Sequence, residues 1–166
     1  MDTKVVFQKE LIHPYQQPEI ELYKDGLNNN LEQLAYLSGI HSRFQTDPRL
    51  KQGEFQKLYK IWIGKAWETN QVYAAPDLAG MVTVSVELSR GSIGLIAVSE
   101  KHQGKGWGKK LVKAAEFECW QEGAREILIP TQESNIPACG LYKSLGYKPS
   151  EKTYIYHYWN IDFQSH

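Results

Sequence analysis

Val98-Ser99-Glu100-Lys101-His102-Gln103-Gly104-Lys105-Gly106-Trp107-Gly108-Lys109-Lys110-Leu111 is the stretch that decides how this chain is read. An apolar run, Ile93-Gly94-Leu95-Ile96-Ala97-Val98, precedes it and predicts a strand covered on both faces. After it, Leu111, Val112, Ala115 and Cys119 recur at helical spacing, predicting a helix over 107–121 that ends at Gly123. A glycine loop between a strand and a helix start leaves main-chain N–H groups bare, and phosphate oxygens are their natural partner. Residues 100–113 hold five lysines and His102 against the single acid Glu100, a local attraction for anions. Two familiar phosphate loops fail on spacing. Lys109-Lys110-Leu111 lacks the Gly-Lys-Ser/Thr of a Walker loop, and the glycines at 104, 106 and 108 miss the last glycine of GxGxxG. What fits is Gln-x-x-Gly-x-Gly at Gln103, Gly106 and Gly108. The plain alternative is a glycine-rich turn beside a solvated lysine face.

Working outward, residues 81–88 alternate Val82, Val84 and Val86 against Thr83, Ser85 and Glu87, a strand with one core face and one face open to a ligand. Residues 71–75 predict another strand and Ser89-Arg90-Gly91 a turn. Toward the N-terminus, residues 5–11 read as an opening strand and 14–30 as loop and turn. Leu31, Leu34 and Ala35 mark a short helix up to Ser38-Gly39. A second helix between Gly53 and Trp67 follows from Phe55, Leu58, Tyr59, Trp62, Ile63 and Ala66. Toward the C-terminus come a short buried strand at Ile127-Leu128-Ile129, a helix over 136–145 with Pro137 in its first turn, and an alternating aromatic tail over 153–161. Strands with helices between them predict a mixed α/β (α+β) sheet covered on both faces.

Composition narrows the function classes. The 166 residues are 42% apolar and 23% charged, enough for one compact domain with a sizeable core. Nineteen basic against nineteen acidic residues argue against a protein-wide nucleic-acid footprint. No apolar run approaches the roughly 20 residues that span a bilayer, and the start Met1-Asp2-Thr3-Lys4 lacks a signal-peptide pattern, so a cytoplasmic protein is expected. Cys119 and Cys139 have no CxxC partner and read as reduced, buried hydrophobes; no ligand spacing implies a metal.

The loop Gln103-Gly-Lys-Gly-Trp-Gly108, followed by Asn135-Ile-Pro-Ala-Cys-Gly-Leu-Tyr142-Lys-Ser-Leu-Gly-Tyr147, resembles the acetyl-CoA signature and following segment of the GNAT superfamily of N-acetyltransferases. The resemblance covers at least residues 71–161. It implies a GNAT-like, mostly antiparallel sheet with helices on both faces. Within a single domain, residues 1–70 would supply an N-terminal strand and acceptor-side helices, and 71–166 the acetyl-CoA core. It also implies direct attack of an amine on the acetyl-CoA thioester, in keeping with the lack of a GxSxG elbow or a Cys/His motif. Ile96, Ala97 and Val98 would offer a strand edge to the pantetheine, and the amides of Gln103, Gly104, Lys105, Gly106, Trp107 and Gly108 would hold the diphosphate. Asn135 would add a cofactor contact while also reading as a helix N-cap. The family's general-acid tyrosine falls on Tyr142, although Ala138, Leu141, Tyr142 and Leu145 by spacing alone form a packing stripe.

His41-Ser-Arg-Phe44, Thr131-Gln132 and the aromatic ending are similar to dTDP-fucosamine acetyltransferases. That narrower resemblance implies a nucleotide-linked amino-deoxysugar as acceptor, with Arg43 on a phosphate, Phe44 against a ring and His41 nearby. Such enzymes often carry additional sequence before this domain, so the chain reads as a short member or a portion. An amine with pKa near 8 costs only about 1.4 kcal/mol to deprotonate at pH 7, against roughly 4.6 kcal/mol for a lysine-like one. A water chain ending at Glu87 would then suffice, though Glu87 reads equally as an ordinary exposed strand residue. The expected partners are acetyl-CoA and a small amine, without nucleic acid, membrane or metal, and with a homodimer left open. Another amine, a protein N-terminus or a non-catalytic CoA-binding regulatory domain are the competing readings.

Overall fold

In the computed structural model, residues 2–40 and 53–155 are described, and they build one seven-stranded sheet. The strands are β1 (Asp2–Glu10), β2 (Glu21–Leu22), β3 (Val72–Ala74), β4 (Gly80–Glu87), β5 (Arg90–Val98), β6 (Glu126–Gln132) and β7 (Lys148–Ile155), in the spatial order β2-β3-β4-β5-β6-β1-β7. Every neighbouring pair is antiparallel except β5–β6. The helices are α1 (Asn29–Ser38), α2 (Glu54–Glu68), α3 (Trp107–Gln121) and α4 (Ile136–Ser144). None is long and apolar enough to cross a membrane.

The helices divide between the two faces, and the strand alternation decides which core each residue joins. Val82, Val84 and Ile93 pack with Leu111, Val112 and Cys119 of α3 and with Tyr142 of α4. Met81, Leu95 and Ala97 pack with Leu31 and Leu34 of α1 and with Tyr59 and Ile63 of α2. Both cysteines are buried and free, as expected. α3 presses close against β5: a Cβ on Gly91 would stand 2.6 Å from the Cys119 sulfur.

The opening strand is inserted next to one edge of the sheet, between β6 and β7. β1 pairs with β6 from Lys4 to Glu10 and with β7 from Asp2 to Gln8, which buries Val5 and Phe7 in the α3–α4 core. Sequence patterning carries no information on such non-local pairing.

Three local expectations are corrected. The β4–β5 turn is Leu88-Ser89, both left-handed (φ 48° and 64°), and Arg90 and Gly91 already belong to β5. That geometry matches the right-handed twist of the flanking strands. The predicted loop over 14–30 contains the short strand β2, paired to β3 through Glu21 and Leu22. β5 is not covered on both faces, since Ile93, Leu95 and Ala97 are buried while Gly94 is exposed and Ile96 and Val98 are half-buried.

Candidate active site

The exposure of β5 has a structural cause. Val82 faces Ile96 but Val84 faces Ile93, so Gly94 and Leu95 both stand opposite the single residue Thr83. The extra residue is a β-bulge, which bends its strand and interrupts the ladder. Thr83 Oγ1 accepts the Leu95 N–H at 2.8 Å in a buried position, so the displaced amide keeps a partner. The bulge also reverses the strand's faces. Ile93 belongs to the α3–α4 core, yet Leu95, two residues on, belongs to the α1–α2 core.

Beyond the bulge the sheet splits. The parallel pairing of β5 with β6 runs only from Arg90–Glu126 to Ser92–Leu128. From Ile93 to Val98 and from Ile129 to Gln132 the described strands exchange no ladder bonds, leaving a wedge at the carboxyl ends of two parallel strands. Crevices of this kind receive ligands in open sheets. The Ile96, Ala97 and Val98 edge therefore faces a gap, with no strand paired to it on that side among the described residues.

Both helices that follow these strands begin at the wedge, α3 at Trp107 and α4 at Ile136. Gly104 and Gly106 take φ of 77° and 85°, a region open to glycine at no steric cost, and nothing lies within 4 Å of where a Cβ would stand on either. Gly106 caps α3 without any side-chain bond. Among the described residues the main-chain N–H groups of 104–109 meet no acceptor, and the first intrahelical bond is Lys110 N–H to Gly106 C=O at 3.2 Å. Exposed, unpaired N–H groups at a positive helix end favour an oxyanion. Lys105 and Lys109 are exposed beside them. Lys110 is otherwise engaged, 2.7 Å from Glu19 and 4.8 Å above the Trp107 ring. Gln103 turns its side chain back to donate to Val98 C=O at 3.2 Å, so it braces the loop on β5.

Asn135 caps α4, its Oδ1 accepting from the Ala138 N–H at 3.3 Å, and it also lines a cavity of about 570 Å³ in the wedge. Much of the remaining wall comes from Thr83 and Ser85 of β4, Gly94 and Leu95 of the bulge, Gln132 of β6, Lys4 of β1, and one stripe of α2 and its C-cap: Tyr59, Trp62, Lys65 and Thr69. The sequence reading put Trp62 with the core; it is 39% exposed and stands on the cavity wall. Phe55, Tyr59, Ile63 and Ala66 form the buried stripe, and Trp62 and Lys65 fall on the adjacent row. Lys4, Lys65 and Gln132 were missed as cavity residues. The three- and four-residue spacing of Trp62, Lys65 and Thr69 is the one signal that pointed to a shared face.

Tyr142 is 2% exposed and stands among other aromatic rings rather than on that wall, with centroids 5.6 Å from Phe7 and 6.1 Å from Tyr147. Its hydroxyl bonds to no described residue. Burial, with the neighbouring Cys139 next in importance, pushes the phenol above its ordinary range and keeps it a donor. Glu87 lines a separate recess with Arg90 and Glu126, connected to the cavity by Ser85, which lines both. His41, Arg43 and Phe44 lie outside the described residues.

Comparison with known proteins bears on the fold and the family. The chain is 29% identical over 79 residues to the uncharacterized N-acetyltransferase YobR of Bacillus subtilis, covering 48% of this chain and 32% of that one. It is 34% identical over 68 residues to N-alpha-acetyltransferase 30 of Saccharomyces cerevisiae, covering 41% and 39%. The chain thus spans well under half the length of these curated relatives. A Bacillus subtilis acetyltransferase solved in complex with CoA superposes with a TM-score of 0.57 at 28% identity, covering 78% of this chain and 76% of that one. A GCN5-related N-acetyltransferase from Sphaerobacter thermophilus, at 17% identity and TM-score 0.58, shares the fold over 91% of this chain and 49% of its own. The model of the acetyltransferase (GNAT) family matches residues 30–147, most of the wedge and both of its helices, and the chain belongs to that family.

Proposed function

We propose that the protein transfers the acetyl group of acetyl-CoA directly to an amine, with the diphosphate on the 104–109 amides and the pantetheine along the Ile96–Val98 edge. The observation that carries this reading is the row of unpaired N–H groups beside an unpaired strand edge at one wedge. When bound, acetyl-CoA supplies the thioester; the chain orients it and removes water from around it. Tyr142 is the proton donor to the departing thiolate: its ring is buried, while its hydroxyl has no hydrogen-bond partner among the described residues and is not sealed from solvent, so it is free to donate. Glu87 receives the amine's proton through water passing Ser85.

The acceptor is a nucleotide-linked amino-deoxysugar, whose amine loses its proton at small cost and whose base and diphosphate suit aromatic and cationic walls. A protein N-terminus is the second reading, favoured by the similarity to N-alpha-acetyltransferase 30. Calorimetry with acetyl-CoA tests the cofactor assignment. Thiol release with dTDP-4-amino-4,6-dideoxyhexoses and with N-terminal peptides then separates the two acceptors. Acetyl-CoA binding without thiol release from any amine would instead make the protein a CoA-binding sensor.

A further inference from the structure

The wedge cavity has a charge character that acetyl transfer alone does not require. Its described wall carries two cations, Lys4 from β1 and Lys65 from the last turn of α2, and no carboxylate. Elsewhere in the described residues five basic side chains are paired: Lys9 with Glu116, Lys60 with Glu32, Arg90 with Glu126, Lys110 with Glu19 and Lys152 with Glu133. Lys4 and Lys65 have no such partner among the described residues. Both lysines are exposed, so solvent and salt screen their field, yet two like charges lining one cavity still favour an anion over a cation there. The neighbouring wall is neutral and hydrogen-bonding, through Thr69, Ser85 and Gln132, with the Trp62 ring alongside.

We infer that the acceptor amine also carries an oxyanion, held between Lys4 and Lys65 while the amine points toward the Gly94–Leu95 bulge. This names the substrate class of the site under the acetyl-transfer reading and rests on that reading. It disfavours polyamines and other polycations, for which this wall holds no counter-charge. The shared chemistry is a phosphate or carboxylate attached to the skeleton that bears the amine. A sugar nucleotide, a sugar phosphate and an amino acid each supply one.

The test uses the full chain in two steps. Calorimetry with acetyl-CoA comes first, because absence of binding removes the acetyl-transfer reading whatever the acceptor. Thiol release is then followed for matched acceptors: glucosamine 6-phosphate against glucosamine, a dTDP-4-amino-4,6-dideoxyhexose against its methyl glycoside, and glutamate against its diamide, with spermidine as the polycation. The anionic member of at least one pair is expected to lead its neutral partner by about tenfold or more in kcat/KM. Lys4→Gln and Lys65→Gln should each erase most of that lead by raising acceptor KM, and Lys65→Arg should restore it. Which pair responds identifies the source of the oxyanion. If no acceptor turns over, calorimetry of the CoA-loaded protein with dTDP, glucose 6-phosphate and glutarate replaces the rate. Lysine-dependent binding of one of them supports the inference. Preference for neutral acceptors or spermidine, or anion binding indifferent to both lysines, overturns it while leaving acetyl transfer standing.

Discussion

The two halves of the wedge are made differently. The proposed cofactor side is contiguous and made of main chain: the β5 edge, a glycine loop and the first turn of α3, within residues 96–109. The proposed acceptor side is assembled from side chains on β1, α2, β4 and β6, spread from Lys4 to Gln132. A group recognised by every member of a family, such as a diphosphate, is met by amides, which sequence drift does not alter. A group that differs between members has to be met by side chains. The difference therefore separates what is shared from what is particular.

The largest effect is expected at Tyr142, the proposed proton donor, which stands off the cavity wall beside Phe7 and Tyr147. Tyr142→Phe should lower kcat by roughly 10² to 10⁴ while acetyl-CoA affinity holds, as loss of a proton donor does. Because burial raises the phenol's pKa, the donor form persists to higher pH than in free tyrosine, whose pKa is about 10. In the wild type, kcat/KM should rise as the amine deprotonates and show no alkaline fall below about pH 10. The variant should keep that shape at a lower level. Unchanged kcat would make Tyr142 a packing residue, which its contacts with Phe7 and Tyr147 already make it in part.

Next is Gly106→Asp, aimed at the main-chain half alone. Aspartate tolerates left-handed backbone better than most residues, but φ 85° strains any side chain, so circular dichroism and unfolding first check that α3 is intact. A carboxylate among the loop amides repels a diphosphate, and acetyl-CoA affinity measured by calorimetry should fall about a hundredfold. Acceptor KM at saturating acetyl-CoA should scarcely move. Equal damage to both would mean that the halves are not separable.

How far the sequence was legible follows the same division. The helix over 107–121 and the cap at Asn135 were readable because glycine, proline and capping residues act locally. The bulge was not, because Ile93–Val98 looks like any buried apolar run, and only the register against β4 reveals the extra residue opposite Thr83. The insertion of β1 between β6 and β7 was hidden for the same reason. Lys4 and Lys65 are ordinary lysines until the fold brings a first-strand residue and a helix end to one cavity. Trp62 was assigned to the core because a six-residue apolar stripe on α2 was counted as one row when it is two.

Thr83→Val tests the link between the halves at intermediate size. Valine keeps the shape but leaves the buried Leu95 N–H without its 2.8 Å acceptor, a cost of about 1–3 kcal/mol. Denaturant unfolding should show that loss. Both KM values should worsen together, since the bulge shapes the strand edge on one side and the cavity wall on the other. A destabilised protein with unaltered kinetics would confine the bulge to a structural role.

The smallest effect, and the finest division, is at Asn135. Its Oδ1 caps α4, which leaves the amide nitrogen free for the proposed cofactor contact. Serine is an equally good cap, so Asn135→Ser should leave unfolding free energy within a few tenths of a kcal/mol, whereas Asn135→Ala should cost about 1 kcal/mol. Losing one neutral hydrogen bond to the cofactor should weaken acetyl-CoA binding about two- to tenfold in both variants. The pair thus isolates the nitrogen from the oxygen of one side chain. Undiminished affinity in the serine variant would assign Asn135 to α4 alone and leave cofactor recognition entirely to main chain, which is the stricter form of the contrast between the two halves.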